Sequence, residues 1–97
     1  MTYRYPDDSE PARAGARPAH REFLRGLAEE GVLLLSGPYA AGEEPGALLL
    51  FRAEAKDALL ARLRADPFQV QGLVSEVVAT EWEPVSGPLA AHVPQTA

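Results

Sequence analysis

Cysteine is absent from this chain, which excludes disulfide frameworks, thiolate nucleophiles and thiolate metal sites together. Basic residues are scarce: 9 Lys and Arg stand against 14 Asp and Glu, for a formal charge of −5. A nucleic-acid partner is therefore not expected, because a duplex-binding surface must present cations that replace counterions. No apolar run approaches the ~18–20 residues that cross a bilayer, so a membrane partner is not expected either. The opening Met1-Thr2-Tyr3-Arg4-Tyr5 lacks the basic stretch and apolar core of a secretory signal, and the expected compartment is the cytoplasm. Neither Gly-x-Gly-x-x-Gly nor a Gly-Lys-Ser/Thr loop occurs, which leaves nucleotide-phosphate cradles without support. Ser9, Ser36, Ser75 and Ser86 lack the context of a nucleophile elbow. The only histidines are His20 and His92, without close ligand spacing, so neither a metal nor a cofactor is expected.

What is present fits one soluble domain: 97 residues, 46% hydrophobic and 24% charged. Residues 1–5 predict a short strand in which tyrosines alternate with Thr2 and Arg4, ended by Pro6. Residues 6–16 show neither helical nor strand period and predict a long loop. A helix is expected over 18–30, with Pro18 at its first turn and Gly31 as its left-handed stop. Its apolar face carries Phe23, Leu24 and Leu27, with His20 in the stripe one turn from the start. Val32-Leu33-Leu34-Leu35 and Ala47-Leu48-Leu49-Leu50-Phe51 are continuous apolar runs, the pattern of strands covered on both faces. Residues 36–46 between them predict a turn-rich hairpin connection. A second helix is expected over 54–65, burying Ala55, Leu59 and Leu63 and fraying at Asp66 before proline. Residues 68–73 predict a short turn or helical piece, and 74–85 a last strand with Val78, Thr80 and Trp82 on one face. The domain is expected to span 1–85. Residues 86–97 predict a flexible tail, with Leu89 and Val93 as its few apolar anchors.

Strand, helix, strand, strand, helix, strand is the βαββαβ order of an α+β ferredoxin-like domain: a four-stranded antiparallel sheet with two helices on one face. Two helices cover only that face, yet both central runs are apolar throughout. A second copy of the sheet is the simplest cover for the other face, so the pattern predicts a homodimer.

Chemistry concentrates on His20. Its plain role is a core-edge histidine bonded to backbone or water; its functional role is a general acid or base near neutrality. Near a helix start, the dipole would oppose its protonation. Asp66 is the candidate orienting carboxylate, and equally a turn residue bonding nearby N–H groups. Glu81 and Glu83 flank Trp82 as solvated edge charges. Arg17 serves either as a surface arginine or as an anion ligand.

Arg17-Pro18-Ala19-His20, the apolar strand after Gly31 leading into Ser36-Gly37-Pro38, Gly46-Ala47-Leu48-Leu49-Leu50-Phe51, Ala65-Asp66-Pro67-Phe68 and Trp82-Glu83-Pro84-Val85 occur in order. Together they resemble the YciI-like (YCII-related domain) family. The resemblance implies a ferredoxin-like protomer paired into a dimeric α/β barrel, and a small pocket with a His–Asp pair on His20 and Asp66. It implies Arg17, Ser36, Gly37, Pro38 and Phe68 as substrate-binding neighbours of an unknown small molecule. Similar proteins include a dehydrochlorinase of a chlorinated, hydroxylated aromatic ring. The short opening strand departs from the longer apolar one usual in the family. Two functions follow as expectations: a lyase or isomerase moving a proton on a small cyclic or aromatic compound, or a non-catalytic metabolite-binding, regulatory dimer. A concave pocket with His20 at its floor favours the first.

Overall fold

Tyr3 and Tyr5 bury on one side of a short strand while Thr2 and Arg4 face the other, the alternation that strand geometry imposes. In the computed structural model, which describes residues 1–92, this strand is β1, Thr2–Arg4. It is followed by α1 (Glu10–Glu29), β2 (Leu33–Pro38), β3 (Gly46–Phe51), α2 (Lys56–Leu63), α3 (Pro67–Val70) and β4 (Glu76–Val78). The four strands form one antiparallel sheet in the order β2-β3-β1-β4, the order of a ferredoxin-like α+β fold. Tyr3, Ala47 and Leu49 from the sheet share one core with Leu24 and Leu27 of α1, Leu63 of α2 and Phe68 of α3. The helices therefore cover a single face. No helix among the described residues is long and apolar enough to cross a membrane.

The largest correction concerns residues 6–16, expected as a loop. The chain turns at Asp8, whose φ of 60° an aspartate tolerates, and α1 starts at Glu10 with Pro11 in its first turn. Ala12, Ala14 and Ala16 favour helix, and Ala16 is buried in the core. Pro18 is thus inside the helix rather than at its start. Both Pro18 and Ala14, whose carbonyl loses its amide partner, lie on the exposed side, so solvent can take that carbonyl. Gly31 does stop the helix in the left-handed region, at φ 77°.

Ser36, Gly37 and Pro38 are also not a turn. They pair with Leu49, Leu48 and Ala47 as the end of β2, an edge strand on which proline is tolerated. A bulge between Leu33 and Leu35 interrupts the ladder. Ala55 is the exposed N-cap of α2, leaving Leu59 and Leu63 as its inward side chains. The last strand is far shorter than 74–85, because among the described residues its only partner is β1. Val78 already pairs with Thr2 and Glu76 with Arg4, and a strand extends only as far as its ladder. Trp82 beyond it is exposed. Pro88–His92 forms a short 3-10 helix where a loose tail was expected, with Leu89 exposed; Val93 lies outside the described residues.

Gly46 permits the β1–β3 contact. A Cβ there would sit 2.5 Å from the Tyr3 carbonyl oxygen and 2.8 Å from Cε2 of the Tyr39 ring. Alanine ordinarily stabilises a strand relative to glycine by about 0.5–1 kcal/mol, but the nearest obstacle here is backbone. Overpacking of about 1–3 kcal/mol should win. Gly46→Ala is expected to lower the melting temperature, and an unchanged or raised value would show that β1 yields freely.

Candidate functional site

His20 lies mid-helix on α1, not one turn from its start as expected, so the helix-dipole argument for this residue lapses. Its ring points to the sheet side. Nδ1 is 2.7 Å from Oδ1 of Asp66, whose side chain is 0% exposed. Asp66 reaches this position because the residue before a proline is held extended. It caps α3, with φ −58° and ψ 125°, and its Oδ1 also accepts the Phe68 N–H at 3.0 Å. Both readings of Asp66, turn residue and histidine partner, describe the same carboxylate. Its Oδ2 accepts the Tyr3 hydroxyl at 2.9 Å, and that hydroxyl in turn accepts from Gln69 Nε2 at 3.0 Å.

With a carboxylate facing Nδ1, neutral His20 carries its proton on Nδ1 and its lone pair on Nε2. Nε2 has no partner among the described residues, and no buried side-chain nitrogen or oxygen there lacks one. Nε2 is therefore open to the adjoining space. That space is a cleft of about 780 Å³ lined by His20, Arg17, Ser36, Gly37, Pro38 and Phe68, among others. Asp66 stands behind His20 and does not line the cleft. Phe68 stacks on the imidazole with ring centres 3.8 Å apart, and Tyr5 meets Phe68 edge-on at 5.6 Å. His92, the second histidine, is exposed on the 3-10 helix. Glu81 and Glu83 are likewise exposed.

Several cleft residues escaped the sequence reading. Arg13 lines the cleft with its guanidinium 4.3 Å above the Tyr5 ring, but it fell within the supposed loop. The signal was available in Pro11 and the alanines, which extend the helix and set Arg13 two turns before His20 on one face. Tyr3, Tyr5 and Gln69 give no local signal, because only the fold brings Tyr3 to Asp66 and Gln69, and Tyr5 to Phe68 and Arg13.

Burial pushes the Tyr3 phenol well above its ordinary range. The Gln69 hydrogen bond opposes this, and the charge and hydrogen bond of Asp66 add to it. Tyr5 is shifted up too, chiefly by burial. In the unfolded chain both phenols ionise near pH ~10, while the fold keeps their protons. Their stabilisation is complete below that pH and is lost as pH rises through the folded values, at up to about 1.4 kcal/mol per pH unit for each phenol. Stability is expected to fall from pH ~10 upward, and less steeply in Tyr3→Phe, as urea titrations at successive pH values would read. Equal slopes would contradict the shift.

Residues 1–83 match the family model of the YCII-related domain. The chain belongs to the YCII-related domain family. Comparison with curated proteins returns no match. Among solved structures, this YCII-related protein is similar to the 5-chloro-2-hydroxyhydroquinone dehydrochlorinase TftG of Burkholderia phenoliruptrix, in its complex with 2,5-dihydroxybenzoquinone. The two are 24% identical, with a TM-score of 0.75 over 96% of each chain. The likeness is one of fold.

Proposed function

We propose that this protein is a homodimeric small-molecule enzyme, a lyase or isomerase in which His20 moves a proton and Asp66 orients it. The carrying observation is the 2.7 Å contact of His20 Nδ1 with buried Asp66, with Nε2 open to the cleft. In this reading Nε2 takes a proton from a substrate O–H or C–H and the freed electron pair moves into the substrate. A lyase substrate then expels a leaving group with its bonding pair; an isomerase substrate takes the proton back from imidazolium at another atom. Asp66 balances the cation formed on the ring, while Phe68 and Tyr5 supply an apolar wall for a flat ring. Ser36, Gly37 and Pro38 also line the cleft, and the working domain is residues 1–85. The fold shared with a dehydrochlorinase supports small-ring chemistry, and the apolar outer sheet face supports pairing of two copies into an α/β barrel.

The test is chloride release from 5-chloro-2-hydroxyhydroquinone by the wild type, His20→Gln and Asp66→Asn. Turnover by the wild type with a drop of about 10²–10⁴-fold in kcat for His20→Gln is expected. Turnover that survives His20→Gln would remove the histidine from the chemistry. Binding of 2,5-dihydroxybenzoquinone without turnover of the chlorinated ring would favour the non-catalytic, metabolite-binding dimer.

A further inference from the structure

Helix α1 sets Arg13, Arg17 and His20 at i, i+4 and i+7, on one face, and all three line the cleft. The axial rise is about 6 Å from Arg13 to Arg17 and about 4.5 Å from Arg17 to His20. A carboxylate already bridges the two arginines. Glu10 Oε2 is 3.1 Å from Arg13 Nη1, and its Oε1 is 3.1 Å from Arg17 Nη2. Arg13 is fixed by the fold, whereas Arg17, 31% exposed, is held among the described residues by Glu10 alone. Arg13 is 11% exposed, its Nε donates to Ser9 Oγ at 2.9 Å, and its guanidinium lies over Tyr5. Glu10 is 62% exposed, so its displacement into water costs little.

Two guanidiniums share this one carboxylate, which leaves one positive charge on the Glu10–Arg13–Arg17 cluster of a chain whose net charge is −5, while Glu43 and Glu44 line the cleft elsewhere. The charge also reaches the histidine's surroundings. Against the dominant effect of burial, the Tyr5 phenol is lowered by Arg13, raised by Asp66 and lowered again by Arg17. One hydroxyl therefore feels both the arginine pair and the carboxylate behind His20. Guanidinium forks match the planar oxygens of a carboxylate better than any neutral group.

Resting on the reading of the cleft as the ligand site, we infer that Arg13 and Arg17 form a carboxylate subsite whose ligand is a small ring acid. Its carboxylate takes the place of Glu10, and its ring lies along α1 toward His20 Nε2. Glu10 is the resident competitor that holds the arginines in position until the acid arrives.

Calorimetric and NMR titration of the full chain with 2,5-dihydroxybenzoate and with the neutral 2,5-dihydroxybenzyl alcohol tests this. The acid is expected to bind at least about tenfold more tightly. Arg17→Met should erase that preference, and Glu10→Gln, a surface change that the fold tolerates, should tighten the acid several-fold. Acid no tighter than alcohol, with both moving the His20 ring signals, would overturn the subsite and leave the proton-transfer reading standing. Acid preferred in an Arg17-dependent way, with the His20 signals unmoved, would uphold the carboxylate subsite but overturn the placement of the ring against His20. Binding of neither compound would overturn the subsite.

Discussion

Asp66→Ala is expected to lower the melting temperature by about 10–30 °C, the largest effect of any single truncation at the site. The carboxylate is fully buried and receives the Tyr3 hydroxyl, the Phe68 N–H and His20 Nδ1. Removing it strands a buried phenol and opens the cap of α3. A lost buried partner costs about 1–3 kcal/mol and a lost cap about 1, so the sum is about 2–4 kcal/mol. In a domain of this size each kcal/mol moves the midpoint by about 4–8 °C. Asp66→Asn keeps one acceptor oxygen and the side-chain volume, and should lose about half as much. Circular-dichroism melts of the three proteins read the series. A drop of only a few degrees in the alanine variant would mean that Asp66 is held in place by the fold without holding it.

That network also shows what the sequence can and cannot reveal. The βαββαβ order was legible because period and punctuation are local: Gly31 stops a helix, Pro6 stops a strand, and apolar runs between breakers are strands. The pairing candidates His20 and Asp66 were legible too, one as a polar residue in an apolar stripe and the other as a carboxylate before proline. Tyr3 and Gln69 were not, since Tyr3 reaches Asp66, and Gln69 reaches Tyr3, only once the fold brings β1 to α3. Pro18 has the marks of a first-turn proline, which is why the expected helix start differs from the observed one at Glu10. Pro11 offers the same signal, and burial of Ala16 decides between them. Residues 74–85 alternate as a strand does, but alternation in one strand says nothing about the length of its partner, and β4 stops at Val78.

Leu48 and Leu49 separate the fold from the dimer. The expectation of strands covered on both faces does not hold within one chain. Leu49 is 1% exposed in the core, but on the opposite side of the sheet Leu48 is 56% exposed, Leu35 66% and Val78 43%. Leu48 and Val78 flank Thr2 across β1, and Leu35 pairs with Leu50, so these side chains share the helix-free face. Leu49→Lys places an unpaired charge in the core. The cost of about 3–5 kcal/mol, with about 2 more for the lost leucine burial, rivals the whole stability of a small domain. That variant is expected to be unfolded by circular dichroism. Leu48→Lys leaves the single chain intact, because a lysine there keeps its ammonium in water. If a second sheet covers this face, the same ammonium is trapped between apolar partners. The wild type is therefore expected to scatter light at twice the 10.4 kDa of one chain, and folded Leu48→Lys at the mass of one. A wild type that stays at the single-chain mass at micromolar concentration would leave the apolar face uncovered and end the dimer proposal, whatever the variants do.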